Sequence, residues 1–177
     1  KCTVMKDKVT IFWFRRDLRL DDNVGLYQAL NSDYPVLPIF IFDTEILESL
    51  DKKDARVSFI HDQIQKLNTK LQTNYGGGIA QFKGTPQTVF NKLMETYKVH
   101  SVFTNHDYEP YAKERDRLVQ ELFTKENIAF KTFKDQVIFE KNEVVKNDGD
   151  PYVVYTPYMK KWKEHFNPSI HLVDYDT

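Results

Sequence analysis

The sequence predicts an α/β protein built on a doubly wound, five-stranded parallel sheet with helices on both faces. Three observations carry this. Short apolar runs alternate with segments of helical period from Val9 to Phe133. The second run, Val36–Phe42, is continuously apolar, as a strand covered on both faces must be. The breaks between segments fall at Gly, Pro, Asn and Asp.

The elements follow in order. Val9–Phe14 is the first strand. Asp22 or Asn23 is placed to cap a short helix over Asn23–Asn31. Val36–Phe42 is the second strand, and Asp43-Thr44 reads as a side-chain-stabilised turn opening a loop. Val57, Ile60, Ile64, Leu67 and Leu71 recur at three and four residues and mark a long helix, which Gly76-Gly77-Gly78 ends. Ile79–Phe82 is a third strand. Thr85-Pro86 supplies an N-cap and first helical position for a helix through Val89, Phe90, Leu93, Met94 and Tyr97. Ser101–Asn105 is a fourth strand, Tyr111–Lys125 a helix with Leu118, Leu122 and Phe123 inward, and Ile128–Phe133 a fifth strand. Beyond Lys134 the pattern changes: a turn at Asn147–Pro151, a short strand at Val153-Val154-Tyr155, and a final helix capped by Thr156-Pro157 and ended by Asn167-Pro168. Residues 1–166 are expected to form one domain and 167–177 to begin a linker.

Composition narrows the function. The formal net charge is −1, so no global basic field draws nucleic acid to the chain. The single cysteine, Cys2, excludes an internal disulfide and fits a reducing, cytoplasmic setting. No run is apolar and long enough to span a membrane. The five histidines lack zinc spacing, and no G-x-S-x-G or phosphate loop is present. The segment after the first strand, Trp13-Phe14-Arg15-Arg16-Asp17-Leu18-Arg19-Leu20-Asp21-Asp22-Asn23, has arginines and aspartates where a dinucleotide-binding chain carries glycines. On charge alone it reads as a salt-bridged corner.

Ligands of open α/β sheets bind outside the carboxyl ends of the strands at the switch point, here between strands one and four. That places Phe14 and Arg15, then Ile41, Phe42 and Asp43, then Asp107 and Glu109 around one crevice. Arg56 stands in the first turn of its helix, where the dipole disfavours a cation; either a ligand or Asp51 or Asp54 partners it. Aromatic walls and carboxylates suit a flat, partly apolar ligand with N–H or O–H donors and suit a polyphosphate poorly. No catalytic constellation and no metal site emerges.

Four ordered motifs resemble the photolyase/cryptochrome family: W-F-R-R-D-L-R-L-D-D-N at Trp13–Asn23, Ala55-Arg56-Val57, Asn105–Pro110 followed by Arg115-Asp116, and Gly149–Tyr158 with Trp162. The last resembles class I cyclobutane pyrimidine dimer DNA photolyases more than animal cryptochromes. The resemblance implies a Rossmann-like N-terminal domain that binds an antenna chromophore. It also implies a C-terminal helical domain, absent from this chain, that binds FAD and repairs damaged DNA with blue light. The fragment alone is then expected to be inactive and monomeric, and part of a longer protein. Chromophore contacts are implied at Phe14, Ile41, Phe42, Asp43, Arg56, Asp107 and Glu109. Folate-binding relatives carry an Asn-Glu pair where this chain has Tyr111 and Ala112. The implied antenna is therefore 8-hydroxy-5-deazaflavin or FMN rather than methenyltetrahydrofolate. The rival assignments are a cryptochrome-type photoreceptor domain and a free-standing nucleotide-binding module.

Overall fold

The computed structural model describes residues 6–177; Cys2 lies outside the described residues. The first element of the described residues is β1 (Lys8–Phe14), whose apolar side chains alternate between two faces. Ile11 and Trp13 face one side, and Phe12 and Phe14 the other. Then follow α1 (Val24–Leu30), β2 (Val36–Asp43), α2 (Thr44–Glu48), α3 (Ala55–Tyr75), β3 (Ala80–Gly84), α4 (Pro86–Thr96), β4 (Lys98–Asn105), α5 (Pro110–Lys125) and β5 (Ala129–Phe133). All neighbouring strands are parallel, in the order β3-β2-β1-β4-β5. The chain winds outward from β1 through β2 and β3, then returns to place β4 on the other side of β1. The switch point thus lies between β1 and β4, as the sequence predicts.

Each face of the sheet has its own core. Ile11, Trp13, Ile39, Ile41, Val89, Phe90, Val119 and Phe123 pack together beneath α4 and α5. Phe12, Phe14, Leu26, Ala29, Phe40, Ile64 and Phe103 pack beneath α1 and α3. Fully burying one such aliphatic or phenylalanine side chain contributes about 1.5–3 kcal/mol. Trp13, Phe90 and Phe123 add edge-on aromatic contacts at 5.2 and 4.8 Å.

Local chemistry sets the element ends. Asn23 caps α1, its side chain accepting from the Leu26 N–H, and Thr85 caps α4 ahead of Pro86. Gly76 ends α3 in the left-handed region at φ 67°, and the N–H groups of Gly76 and Gly77 satisfy the carbonyls of Gln72 and Leu71.

Four expectations fail. Asp43-Thr44 does not open a loop; Asp43 caps the one-turn helix α2, too short to show a period in the sequence. Val153-Val154-Tyr155 is not a strand. Among the described residues no neighbouring strand pairs with it, Val153 is 90% exposed, and Tyr155 starts α6 (Tyr155–His165). Thr156 and Pro157 therefore lie inside that helix rather than capping it. On α5, Leu118 faces outward, because Ala112, Arg115, Val119 and Phe123 form the buried stripe. After α6, Asn167 caps the short α7 (Pro168–His171), and the chain runs back to α1, where Tyr175 meets Tyr27 ring to ring at 5.3 Å.

Residues Trp13–Asn23 make the corner that their charges predict. Asn105, 3% exposed at the end of β4, ties it together. Its carbonyl accepts from the Gly25 N–H at 2.8 Å, and its amide donates to Asn23 at 2.8 Å and to Asp17. A Cβ at Gly25 would lie 2.5 Å from the Asn105 oxygen, so α1 meets β4 this closely only through glycine. Arg15 donates to both oxygens of Asp116 (2.6 and 2.9 Å) and to the backbone carbonyl of Asn105, not its side-chain oxygen. Arg19 pairs with the fully buried Asp135 at 2.8 Å.

Candidate chromophore-binding crevice

At the carboxyl end of the sheet a crevice of about 380 Å³ opens across the switch point. It falls within the range of small-molecule sites, about 300–1,000 Å³. Its walls come from five places. The end of β1 gives Trp13 to Arg16, the end of β2 gives Phe40 to Asp43, α2 and the loop after it give Ile46, Leu47 and Leu50, and the first turns of α3 give Arg56, Val57 and Ile60. Asp107, Glu109, Tyr111, Ala112 and Arg115 close the far side. All seven residues singled out from the sequence line this one space: Phe14, Ile41, Phe42, Asp43, Arg56, Asp107 and Glu109. Phe14 is fully buried and forms floor rather than wall.

The carboxylates are not free. Asp43, 6% exposed, accepts from the Glu45 N–H at 3.1 Å and from the Tyr111 hydroxyl at 2.6 Å. Asp107 lies 3.7 Å from Arg16 and 3.8 Å from Arg115, and Glu109 pairs with Arg16 at 2.8 Å. Four arginines, Arg15, Arg16, Arg56 and Arg115, face three carboxylates in the lining. The expected repulsion of a phosphate therefore does not hold, since every acidic group but Asp43 stands beside a guanidinium.

Arg115 is, with Arg15, one of two buried cations of the site, their side chains 7% and 6% exposed. Its guanidinium lies 5.0 Å from the Trp13 ring, as does that of Arg15, and it contacts Asp116 at 3.2 Å. Burial, and next the neighbouring Arg15 charge, pull its pKa below the ordinary arginine value. Arg56 resolves the tension of a cation at a helix start locally, through a forked pair with Asp54, the N-cap of α3. Its side chain remains 72% exposed at the mouth.

That pair has a pH signature. The Arg56 side chain first, and then its backbone N–H, hold the Asp54 carboxyl at about 2, below its ordinary 3.8. A depressed carboxyl stabilises the fold above its unfolded pKa, and the contribution disappears as pH falls from about 4 through 2. Asp54→Asn is expected to flatten this acid limb of stability. A carboxyl carbon NMR titration with an Asp54 midpoint near the ordinary value would contradict the assignment.

The family described as DNA photolyase matches residues 10–174. The chain belongs to the DNA photolyase family. Curated relatives include an uncharacterized 31.6 kDa protein of Synechococcus sp. (strain PCC 6716), 37% identical over 86% of this chain and 53% of its own length. A deoxyribodipyrimidine photo-lyase of Synechococcus sp. (strain PCC 6301) is 32% identical over 90% of the chain and 33% of its own. Cryptochrome-1 of Drosophila melanogaster is 30% identical over 84% of the chain and 29% of its own. The chain thus spans between a third and about half of the first two. Among solved structures, a photolyase from Sulfolobus tokodaii superposes with a TM-score of 0.71 at 31% identity, over 78% of this chain and 32% of that one. A class III photolyase from Agrobacterium tumefaciens shares the fold with a TM-score of 0.82 at 24% identity, over 99% of this chain and 35% of that one.

Within the photolyase crevice, sequence reasoning did not assign Tyr111, Arg115, Ile46, Leu47 or Leu50 to the site. Tyr111 entered only as a departure from the folate pattern, although its place in the first turn of α5, directly after the strand-four acidic loop, was a usable signal. Among the described residues, no helix is long and apolar enough to cross a membrane, and no cluster of three or more His, Cys, Asp or Glu is placed to hold a metal.

Proposed function

We propose that this crevice holds the light-harvesting chromophore of a class I deoxyribodipyrimidine photolyase, an 8-hydroxy-5-deazaflavin or FMN. The observation that carries it is the lining at the switch point: Phe40, Ile41 and Phe42 as an apolar wall, with carboxylates and guanidiniums at the rim. When bound, such a ring supplies absorption of blue light and passes the excitation on. The protein's part is rigidity and orientation, for which side chains packed in two cores and tied by ion pairs are suited. Arg16 and Arg56, both more than half exposed at the mouth, are placed to meet an anionic tail. The Sulfolobus tokodaii photolyase, described with two FAD molecules and a novel light-harvesting cofactor, supports a flavin as the ring. The class I assignment is supported by the Gly149–Tyr158 motif with Trp162. In the full-length protein we place FAD and the repair of pyrimidine dimers in a C-terminal helical domain, with damaged DNA as partner. Residues 1–166 are then the antenna domain, with 167–177 leading out of it.

Titration of the purified chain with 8-hydroxy-5-deazaflavin, FMN and methenyltetrahydrofolate, read by absorbance shift and fluorescence polarisation, tests the reading. Binding of either of the first two and not the folate is expected. Binding of the folate alone, or of none, would overturn it. Arg56→Ala is expected to weaken FMN binding by roughly three- to tenfold while leaving thermal stability nearly unchanged, since its ion pair is exposed. A cryptochrome-type photoreceptor is the second reading, favoured by the Drosophila relative. Light-driven dimer repair by the full-length protein separates the two.

A further inference from the structure

We infer that Tyr111 determines which rings the crevice accepts: its hydroxyl holds the Asp43 carboxylate in the place of a ligand's N–H donor, and only a ring with a donor of its own displaces it. This rests on the chromophore reading above. Asp43 is almost fully buried, and each of its oxygens already accepts one hydrogen bond. The bond from the Glu45 N–H belongs to the first turn of α2 and is lost only by unwinding that helix. The bond from Tyr111 is different. It comes from a side chain in the first turn of α5, partly exposed, on the opposite side of the switch point. Rotation about two side-chain bonds releases it with no change in either helix. At 2.6 Å it is a short, charge-assisted bond, so an incoming group replaces it without loss only by donating to the same carboxylate oxygen. Burial first, and then the Asp43 bond, raise the phenol pKa, which keeps the proton on Tyr111 and the hydroxyl a donor.

The chemistry names a discriminating pair of probes. The oxidised isoalloxazine ring of FMN has one ring N–H, at N3. N3-methyl-FMN lacks it and keeps the phosphate, the ribityl hydroxyls and the stacking surface. On the unsubstituted chain, FMN is expected to bind about tenfold more tightly than N3-methyl-FMN. Tyr111→Phe removes the competing hydroxyl, leaves Asp43 one donor short, and is expected to tighten FMN by roughly three- to tenfold while leaving N3-methyl-FMN unchanged.

Equal binding of the two flavins to the unsubstituted chain overturns the inference and leaves the chromophore reading standing. So does a Tyr111→Phe effect of equal size on both flavins, which is what a mere wall residue would give. Failure of both flavins and of 8-hydroxy-5-deazaflavin to bind either protein overturns the chromophore reading itself, and the role of Tyr111 with it. The comparison on the unsubstituted chain needs no variant, so a folding defect in Tyr111→Phe does not remove the test.

Discussion

Asn105→Leu is expected to lower stability by about 3–5 kcal/mol, the larger of two effects expected from single substitutions. Leucine fills the volume and restores none of the bonds. The Gly25 N–H loses its acceptor, and Asp17 and Asn23, 6% and 0% exposed, each lose a donor. Each buried polar group left unpaired costs about 1–3 kcal/mol. For a chain of this size 1 kcal/mol corresponds to about 2–4 °C in Tm, so a fall of roughly 10 °C is expected. Asn105→Asp does not rescue it, because a second carboxylate would face Asp17. Thermal unfolding followed by circular dichroism decides. A loss under about 1 kcal/mol would mean that water replaces the missing amide and that this corner is wet.

The second large effect is expected at Arg115. Arg115→Ala takes the guanidinium from the Trp13 face and leaves Asp107, whose side chain is 8% exposed, with the Glu109 N–H at 3.3 Å and, of the cations paired with it among the described residues, only Arg16 at 3.7 Å. Asp116 keeps its bonds from Arg15, so the cost lies below that of an isolated buried pair, at about 2–4 kcal/mol. Chromophore affinity should fall at least tenfold, because both Asp107 and the crevice floor lose their support. Arg115→Lys restores the charge but not the plane and should recover only a minor part of either loss. An Arg115→Ala chain that unfolds and binds ligand like the unsubstituted one would show that Arg115 is a passenger in this wall.

The frame of the fold was legible because its signals are local. Val36–Phe42 announces a strand covered on both faces, Thr85-Pro86 a helix start, and Gly76 a helix end, each within a few residues. The strand ends then follow, and with them the positions of Phe14, Asp43 and Asp107. What sequence did not disclose depends on partners far along the chain. Arg15 meets Asp116, and Tyr111 meets Asp43, across separations of 101 and 68 residues. No local pattern pairs them. The same holds for Leu118: an alternating count cannot know that the buried stripe of α5 admits Arg115, which displaces leucine outward by supplying the cation that Asp107 and Asp116 require. Val153-Val154-Tyr155 misled for the opposite reason. Its β-branched side chains favour extended backbone, but propensity without a neighbouring strand makes no sheet.

The strand order carries a consequence for biosynthesis. β1 is the central strand, and one of its two neighbours, β4, follows about 90 residues later. At about 5–20 residues per second on the ribosome, the β4-facing edge of a strand bearing Ile11, Phe12, Trp13 and Phe14 stays open for roughly 5–20 s. An unpaired apolar edge is a template for pairing with another chain. The nascent protein should therefore recruit holding chaperones until residue 105 has cleared the exit tunnel, and ribosome-stalled chains ending before β4 should be the aggregation-prone ones.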